Sequence, residues 1–517
     1  MGFTRRDFLK TGLAAGAYAG LAGLMPQSLL ADEGKYNVLF IAVDDLRPEL
    51  GCYGVPVIKT PNIDRLAAQG TLFRHAYCQQ AVCSPSRTSL LTGCRPDTTK
   101  VYNLEDHFRK FIPDVVTLPE YFKKQGYHAQ GMGKIYHGGL NDPQSWTIPH
   151  WSPKAVTYHK PESLAAQQKM KEEIEAKGPL GTAEVLERDP KTGAALRVKR
   201  KGVALRGPAW EDPDVPDNAL GDGMVADHAI ETLREIKDKK FFLAVGFYKP
   251  HLPFIAPKKY FDMYPDASKI GLSPNPNPPK DCPDIALTNY GELRNYTDIP
   301  DVGPVSEKQA LELRRAYYAA ASYTDAQIGR VLDELEKLGL KDKTVVVLWG
   351  DHGWHLGDNS LWCKHTNFEI ATNAPMIFRA PGQKNPGAKT DNLAEFVDIY
   401  PTLCDLAGLP IPEGLEGVSV KPVMDDPKRT WKKAAFSQYP RAGNVMGYTM
   451  RTDRYRYTEW TKKDSEPVGI ELYDHQKDPG ENVNLANLPE NKELVAKLAK
   501  MLHAGWKAAV PPGVVAK

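Results

Sequence analysis

Two aspartates, Asp44 and Asp45, follow directly on the apolar run N-V-L-F-I-A-V from Asn37 to Val43. Paired carboxylates at a strand end suit a hard cation such as Ca²⁺ or Mg²⁺, which prefers oxygen ligands. Far downstream, the run ending at Trp349 delivers Asp351 and His352 in G-D-H-G-W, so two strand ends can converge on one ion. C-S-P-S-R at Cys83 to Arg87 offers a thiol, able to act as thiolate nucleophile or metal ligand, beside a guanidinium. G-M-G-K-I-Y-H-G-G offers Lys134 and His137, and W-C-K-H-T offers Lys364. In Y-K-P-H-L-P-F, His251 lies between Pro250 and Pro253, which restrict the backbone and can fix a side chain's direction. Each group also has a plainer reading. The aspartates could cap a helix, Cys83 and Arg87 could stand in a turn before one, and the others could be solvated or locally bonded.

The runs Asn37 to Val43, Phe241 to Phe247 and Thr344 to Trp349 are nearly continuously apolar, the pattern of central strands covered on both faces. Each stops at chemically capable residues, and in an open α/β sheet the ligand crevice lies outside the carboxyl ends of the strands. Helical patterns fall between them at Ile63 to Gln69, Leu118 to Gln125 and Ser322 to Leu338; in the last, Ile328, Val331, Leu332, Leu335 and Leu338 recur at helical spacing. The alternation predicts an α/β fold with a large, mainly parallel sheet flanked by helices. Residues 141–216, rich in Lys, Pro and Gly, read as an insertion over the surface. A second Pro-rich loop runs from Ser273 to Asp284. After Gly408 come P-I-P-E-G-L-E-G, strand-like runs at Tyr448 to Thr452 and Tyr455 to Trp460, and an amphipathic helix over Asn491 to Ala508. These predict a main catalytic domain over 32–411 and a smaller α+β domain over 412–517.

A chain of 517 residues is too long for one ordinary domain and ample for a large core. Its 42% hydrophobic and 25% charged residues are those of a globular protein, and a net charge of +2 argues against nucleic acid and against any bulk polyanion-binding surface. At the start, M-G-F-T-R-R-D-F-L-K precedes an uncharged Ala/Gly/Leu-rich run, the pattern of a twin-arginine export signal over residues 1–31. That run falls short of the roughly 20 strongly apolar residues a membrane span needs. Cys52, Cys78, Cys94, Cys282, Cys363 and Cys404 show no C-x-x-C spacing; most read as small buried residues, and spacing assigns no disulfide among them.

C-S-P-S-R, continued by T-S-L-L-T-G from Thr88 to Gly93, resembles the maturation signature of the type I, formylglycine-dependent sulfatases. R-P-D-T-T-K-V-Y-N, D-H-G-W-H-L-G, K-H-T-N-F-E-I-A-T-N-A-P-M-I-F and F-V-D-I-Y-P-T-L-C-D-L-A-G-L resemble the iduronate-2-sulfatase branch, and the likeness covers nearly the whole mature chain. The resemblance implies an alkaline-phosphatase-like fold and conversion of Cys83 to 3-oxoalanine (formylglycine) by a formylglycine-generating maturation enzyme. That conversion would precede passage of the folded protein through the twin-arginine export machinery to the periplasm or beyond. It also implies a cation site of Asp44, Asp45, Asp351, His352 and the residue 83 oxygen, with Ca²⁺ preferred and Mg²⁺ the alternative.

Other roles follow from the same likeness. Arg87 binds the formylglycine oxygen, Lys134 neutralises sulfate charge, and His137 takes a proton from the second hydroxyl of the hydrated aldehyde. His251, helped by Lys364, protonates the leaving oxygen. Trp354, His355 and His365 line substrate subsites. The implied substrate is a sulfated oligo- or polysaccharide, cleaved at the 2-O-sulfate of a uronic acid. Two alternatives stand beside this. One is a phosphate or phosphonate ester hydrolase of the same superfamily, which needs a second Asp/His ligand set and has only Asp398 as a stray candidate. The other is a noncatalytic sulfated-glycan-binding protein, which predicts a broken catalytic position.

Overall fold

Every residue of Asn37–Val43 (β1) is buried, and alternate side chains enter opposite cores: Leu39, Ile41 and Val43 one, Val38, Phe40 and Ala42 the other. A strand with water on neither side carries no polar alternation, which accounts for the unbroken apolar run. The computed structural model describes residues 36–176, 183–188, 195–200 and 205–514, so the twin-arginine segment lies outside the described residues.

Around β1 stand Thr71–Phe73 (β2), His128–Gly133 (β3), Phe241–Phe247 (β4), Thr344–Gly350 (β5), Met376–Arg379 (β6) and Ala388–Thr390 (β7). They form one sheet in the order β7-β2-β6-β5-β1-β4-β3. Within it only β6 runs against the rest. The expected mainly parallel α/β sheet is therefore present.

Helices cover both faces. Pro61–Gln69 (α1), Gly221–Ile236 (α4) and Glu307–Lys337 (α6) contribute to the core holding Leu39 and Ile41. Cys83–Thr92 (α2), Leu118–Lys124 (α3) and Ile399–Ala407 (α7) contribute to the opposite core. Between α4 and α6, the short Gly291–Arg294 (α5) lies off the sheet. Helix α3 starts on a capping box in which Thr117 and Glu120 satisfy each other's backbone N–H groups. Helix α6 begins well before the expected Ser322. All residues from Ala316 to Asp325 are buried, so no polar stripe marks the helical period there. Its start is capped by Ser306, whose hydroxyl accepts from the Gln309 N–H.

Toward the C-terminus, Ala435–Arg441 (β8), Val445–Arg451 (β9), Tyr455–Lys462 (β10) and Gly469–Asp474 (β11) form a consecutive antiparallel sheet. Lys492–Ala504 (α8) packs Leu498 and Leu502 against Met450, Tyr457 and Leu472 of that sheet. It stops short of the expected Ala508, because Gly505 takes a positive φ of 72° and ends the helix. Within 141–216, the described residues include helix Pro161–Ala176 and the paired strands Ala183–Arg188 and Ala195–Arg200, all outside the central sheet.

Buried charges tie this sheet to the main sheet's helices. Lys432, just before β8, places its Nζ 2.7 Å from Glu395 Oε2 and 2.7 Å from both oxygens of Asp398. Asp398 also accepts the N–H groups of Glu395 and Val418, both at 2.8 Å. Asp398 is thus a structural anchor at the start of α7, with its oxygens committed, and not part of a second metal set. Replacing Lys432 by Met leaves buried carboxylates uncompensated, so Lys432→Met is expected to cost about 3 kcal/mol of stability. Urea denaturation checks this; a wild-type midpoint would show the pair to be dispensable.

Candidate active site

Strands β3, β4, β1 and β5 lie side by side and parallel, with Gly133 opposite Gly246 and Val43 opposite both Phe247 and Gly350. Their carboxyl ends therefore release the chain at one edge, and the ladder continues one step into the loops. Asp44 N–H donates to Phe247 O (3.2 Å), Asp351 N–H to Val43 O (3.2 Å), and Lys134 N–H to Gly246 O (2.9 Å). A Cβ on Gly133 would collide with the Gly246 carbonyl, and one on Gly246 with the Lys134 backbone. Only glycines allow this close approach, and Gly133 also needs its φ of 68° to turn the chain into Lys134. Asp45 adopts a left-handed φ of 56°, an uncommon state for a non-glycine residue. Its N–H donates to Asp351 Oδ1 at 3.0 Å and its carbonyl accepts from the Tyr317 hydroxyl at 2.8 Å, which hold that conformation.

Cys83 is the first residue of α2 and is buried. Its Sγ lies 3.5 Å from Asp44 Oδ1, 3.3 Å from His352 Nε2 and 3.6 Å from Lys134 Nζ. Ligand atoms of Asp44, Cys83, Asp351 and His352 all lie within 4.8 Å of one another, and Asp45 Oδ1 is 3.3 Å from His352 Nε2. His352 Nδ1 sits 2.9 Å from the Gly353 carbonyl, which can only accept, so the proton belongs on Nδ1 and the Nε2 lone pair faces the cluster. Three carboxylates and one imidazole fit a hard divalent cation.

The same carboxylates are held by cations. Arg87 Nε is 2.9 Å from Asp351 Oδ2, one terminal nitrogen is 3.2 Å from Asp44 Oδ1, and the other donates to the carbonyls of Lys134 and Ile135. Lys134 pairs with Asp44, and Lys364 Nζ lies 3.1 Å from both oxygens of Asp45. Burial alone would raise the Asp44 carboxyl, but Lys134, His251 and Arg87 together hold it well below the usual carboxylate range. Burial and Asp44 push the Cys83 thiol well up, so the unmodified side chain is a poor nucleophile. Burial and the Lys134 charge push His137 down to about 4. Its ring is therefore neutral near pH 7, and its Nδ1 has no hydrogen-bond partner among the described residues.

His251 follows β4 on the loop at Tyr248 to Pro253. Asp222, in the first turn of α4, accepts the N–H groups of Tyr248 (2.7 Å) and Lys249 (3.0 Å), and Lys249 Nζ donates to His251 O at 2.9 Å. His251 Nδ1 is 2.6 Å from Leu252 O, while Nε2 is 3.8 Å from Asp45 Oδ2. With its side chain 22% exposed, His251 stands at the edge of the buried cluster.

The structure thus brings Asp44, Asp45, Cys83, Arg87, Lys134, His251, Asp351, His352 and Lys364 together, with His137 one short turn beyond Lys134. The expected subsite residues fare differently. Trp354 is fully buried beneath Lys364, whose Nζ lies 4.8 Å from its ring centre. His355 is also buried, and both its nitrogens are engaged, by Asp358 O at 3.1 Å and Thr366 Oγ1 at 3.0 Å. Both are supports behind the site and not an exposed lining. His365 remains partly exposed beside Tyr439. Sequence reading missed Glu292, whose Oε2 is 2.9 Å from Lys364 Nζ and whose Oε1 is 3.1 Å from His251 Nε2. A lone glutamate in N-Y-G-E-L-R carries no signal that could have found it.

The family model described as Sulfatase matches residues 36–409, and that of the N-sulphoglucosamine sulphohydrolase C-terminal region matches residues 350–507. The twin-arginine translocation pathway signal sequence matches residues 2–22, consistent with export to the periplasm or secretion. Among the described residues, no helix is long and apolar enough to cross a membrane. Iduronate 2-sulfatase of Mus musculus is 32% identical over 546 residues, covering 89% of this chain and 93% of its own. The solved structure of a 2-O GAG sulfatase superposes with a TM-score of 0.67 at 22% identity over 91% of each chain. Phosphonate monoester hydrolase from Silicibacter pomeroyi gives 0.68 at 23% identity over 92% of this chain and 96% of its own, a likeness of fold.

The donor set has a direct consequence. Ca²⁺ at about a hundred times its Kd is expected to add about 2.7 kcal/mol of stability, read as a rise in Tm that Asp351→Asn abolishes. A wild-type Tm indifferent to both Ca²⁺ and Mg²⁺ would remove the cation from this cluster.

Proposed function

Because the chain belongs to the sulfatase family, we propose that it removes the 2-O-sulfate from a uronic acid residue of a sulfated glycan, with Cys83 carried as formylglycine. The observation that carries this reading is the buried convergence on residue 83 of three carboxylates, His352, Arg87 and Lys134, with Lys364 buried against Asp45 and His251 at the rim. The likeness to iduronate 2-sulfatase at 32% identity supports the uronate. The family uses formylglycine and a divalent metal. For this chain we assign Ca²⁺, with Mg²⁺ the alternative, to Asp44, Asp45, Asp351 and His352.

When bound, the ion supplies Lewis acidity to an ester sulfate oxygen. Hydrated formylglycine at position 83 supplies two hydroxyls on one carbon, one to attack sulfur and one to release sulfate afterwards. The chain's own groups do the rest. Arg87, already spent on Asp44 and Asp351, keeps residue 83 and the carboxylates in register. Lys134 neutralises charge on the sulfate. His251, with Lys364 beside it, gives a proton to the departing alcohol oxygen, since a sugar alkoxide is a poor leaving group. His137, kept neutral by burial and Lys134, then takes the proton of the second hydroxyl; its electron pair closes the carbonyl as the carbon–oxygen bond to sulfate breaks.

The maturation step requires a formylglycine-generating enzyme as partner, acting before twin-arginine export of the folded protein. A noncatalytic binder is disfavoured because every nucleophile, cation and acid position is filled. A two-metal phosphoesterase is disfavoured because Asp398 is committed to Lys432, and the other close group, Glu369, His475 and Glu481, is neutralised by Arg451 and Arg456.

Intact mass and peptide mapping of protein from a host with competent maturation machinery should find residue 83 lighter than cysteine by exchange of its thiol for an aldehyde oxygen. The same preparation should release sulfate from a uronoside 2-sulfate, and Cys83→Ala should lower kcat/KM at least about a thousandfold. An unmodified thiol under those conditions would sink the mechanism.

A further inference from the structure

Glu292 spans Lys364 and His251, the two groups assigned above to the leaving oxygen. Its side chain is 14% exposed, between that of Lys364 at 2% and that of His251 at 22%, so it lies with His251 at the open edge of the buried cluster. It is not a loose loop tip. Arg294, on the same short α5, donates from Nε to Asn289 O at 2.9 Å and from a terminal nitrogen to Pro300 O at 2.6 Å, and the Tyr290 hydroxyl donates to Gly303 O at 3.0 Å. Burial works against its charge, yet Lys364 and His251 hold its carboxyl well below the ordinary range.

The leaving oxygen must come within one hydrogen bond of His251 Nε2, the atom that Glu292 Oε1 now touches. On a pyranose ring whose neighbouring oxygens are gauche, the oxygen of the adjoining carbon lies about as far from the leaving oxygen as two hydrogen-bonded atoms lie apart. That second oxygen therefore falls within reach of the Glu292 carboxylate. If it is a hydroxyl, it donates a hydrogen bond. If it carries a sulfate, two anions meet in a largely dry site, an arrangement that discriminates strongly against the wrong ligand.

We propose that Glu292 determines specificity: it accepts a hydrogen bond from a free hydroxyl on the carbon next to the sulfated one, and it excludes sugars sulfated at both carbons. This rests on the role proposed for His251. The test compares kcat and KM of wild type, Glu292→Gln and Glu292→Asp on a uronoside 2-sulfate with a free 3-hydroxyl and on its 2,3-disulfate, with Tm recorded for each. Wild type should favour the monosulfate at least about tenfold in kcat/KM. Glu292→Gln should cut that preference at least about fivefold, chiefly through a lower KM for the disulfate, whereas Glu292→Asp should keep it.

An unchanged preference in Glu292→Gln, with kcat falling equally on both sugars, would leave Glu292 only as a counterion for Lys364 and overturn the proposal. Inhibition of wild type needs no variant: disulfate that competes as tightly as the monosulfate binds would overturn it too. If wild type releases sulfate from neither uronoside, the substrate reading fails by itself. The same comparison is then made on whichever monosulfated sugar is hydrolysed, with the vicinal disulfate as its partner.

Discussion

Three buried carboxylates within one small volume are the constraint on which the site depends. Asp44, Asp45 and Asp351 are shut away from water, and no such group persists as an anion unless a cation or a set of donors replaces its hydration. Each has its own partner: Lys134 and Arg87 for Asp44, Lys364 for Asp45, Arg87 for Asp351. Arg87 is the most heavily used, with its ring of donors divided between two carboxylates and two backbone carbonyls, a geometry that only a planar guanidinium offers. The residues that resemble a family's catalytic set are thus also the residues that make the carboxylate cluster tolerable.

Convergence is produced by the sheet. Four parallel neighbours end in register, and the first residue or two beyond each end is still fixed by ladder-like hydrogen bonds, so Asp44, Lys134 and Asp351 inherit the precision of the strands. The pair Gly133 and Gly246 lets β3 and β4 come close enough for Lys134 to join. Cys83 arrives differently, at the N-terminal end of α2, where the helix dipole favours accumulating negative charge. The His251 loop hangs from Asp222, a carboxylate in the first turn of α4 that binds two consecutive backbone N–H groups.

The C-terminal sheet does more than complete the molecule. The loop carrying Lys364 continues to Asn367, whose amide donates to the Gly447 carbonyl of β9 at 2.9 Å, and to Glu369, which is gripped by Arg451 and Arg456. Movement of that sheet would therefore be felt at Lys364. With Glu292 supplied from α5, the side of the site that holds His251, Lys364 and Glu292 is assembled from segments outside the four parallel strands.

Local text was enough for whatever depends on local pattern. The apolar runs marked β1, β4 and β5 because strands buried on both faces cannot carry polar positions, and short distinctive strings marked Cys83, Arg87, Lys134, His251, Asp351 and His352 as chemically capable. The middle of α6 stayed hidden for the same reason: from Ala316 to Asp325 its residues are buried all round, which erases the helical period. Trp354 and His355 showed their types but not their depth, and both proved to lie behind the site. Asp398 looked like a spare ligand until Lys432, brought in from the start of the C-terminal sheet, claimed it. Glu292 had no mark at all, since a single glutamate becomes part of a site only when folding sets it against Lys364 and His251. The amino-acid order by itself determined which strands could be buried and which residues could react. Only the tertiary structure decided which charges meet, because electrostatic neighbours are chosen by distance in space and not by separation along the chain.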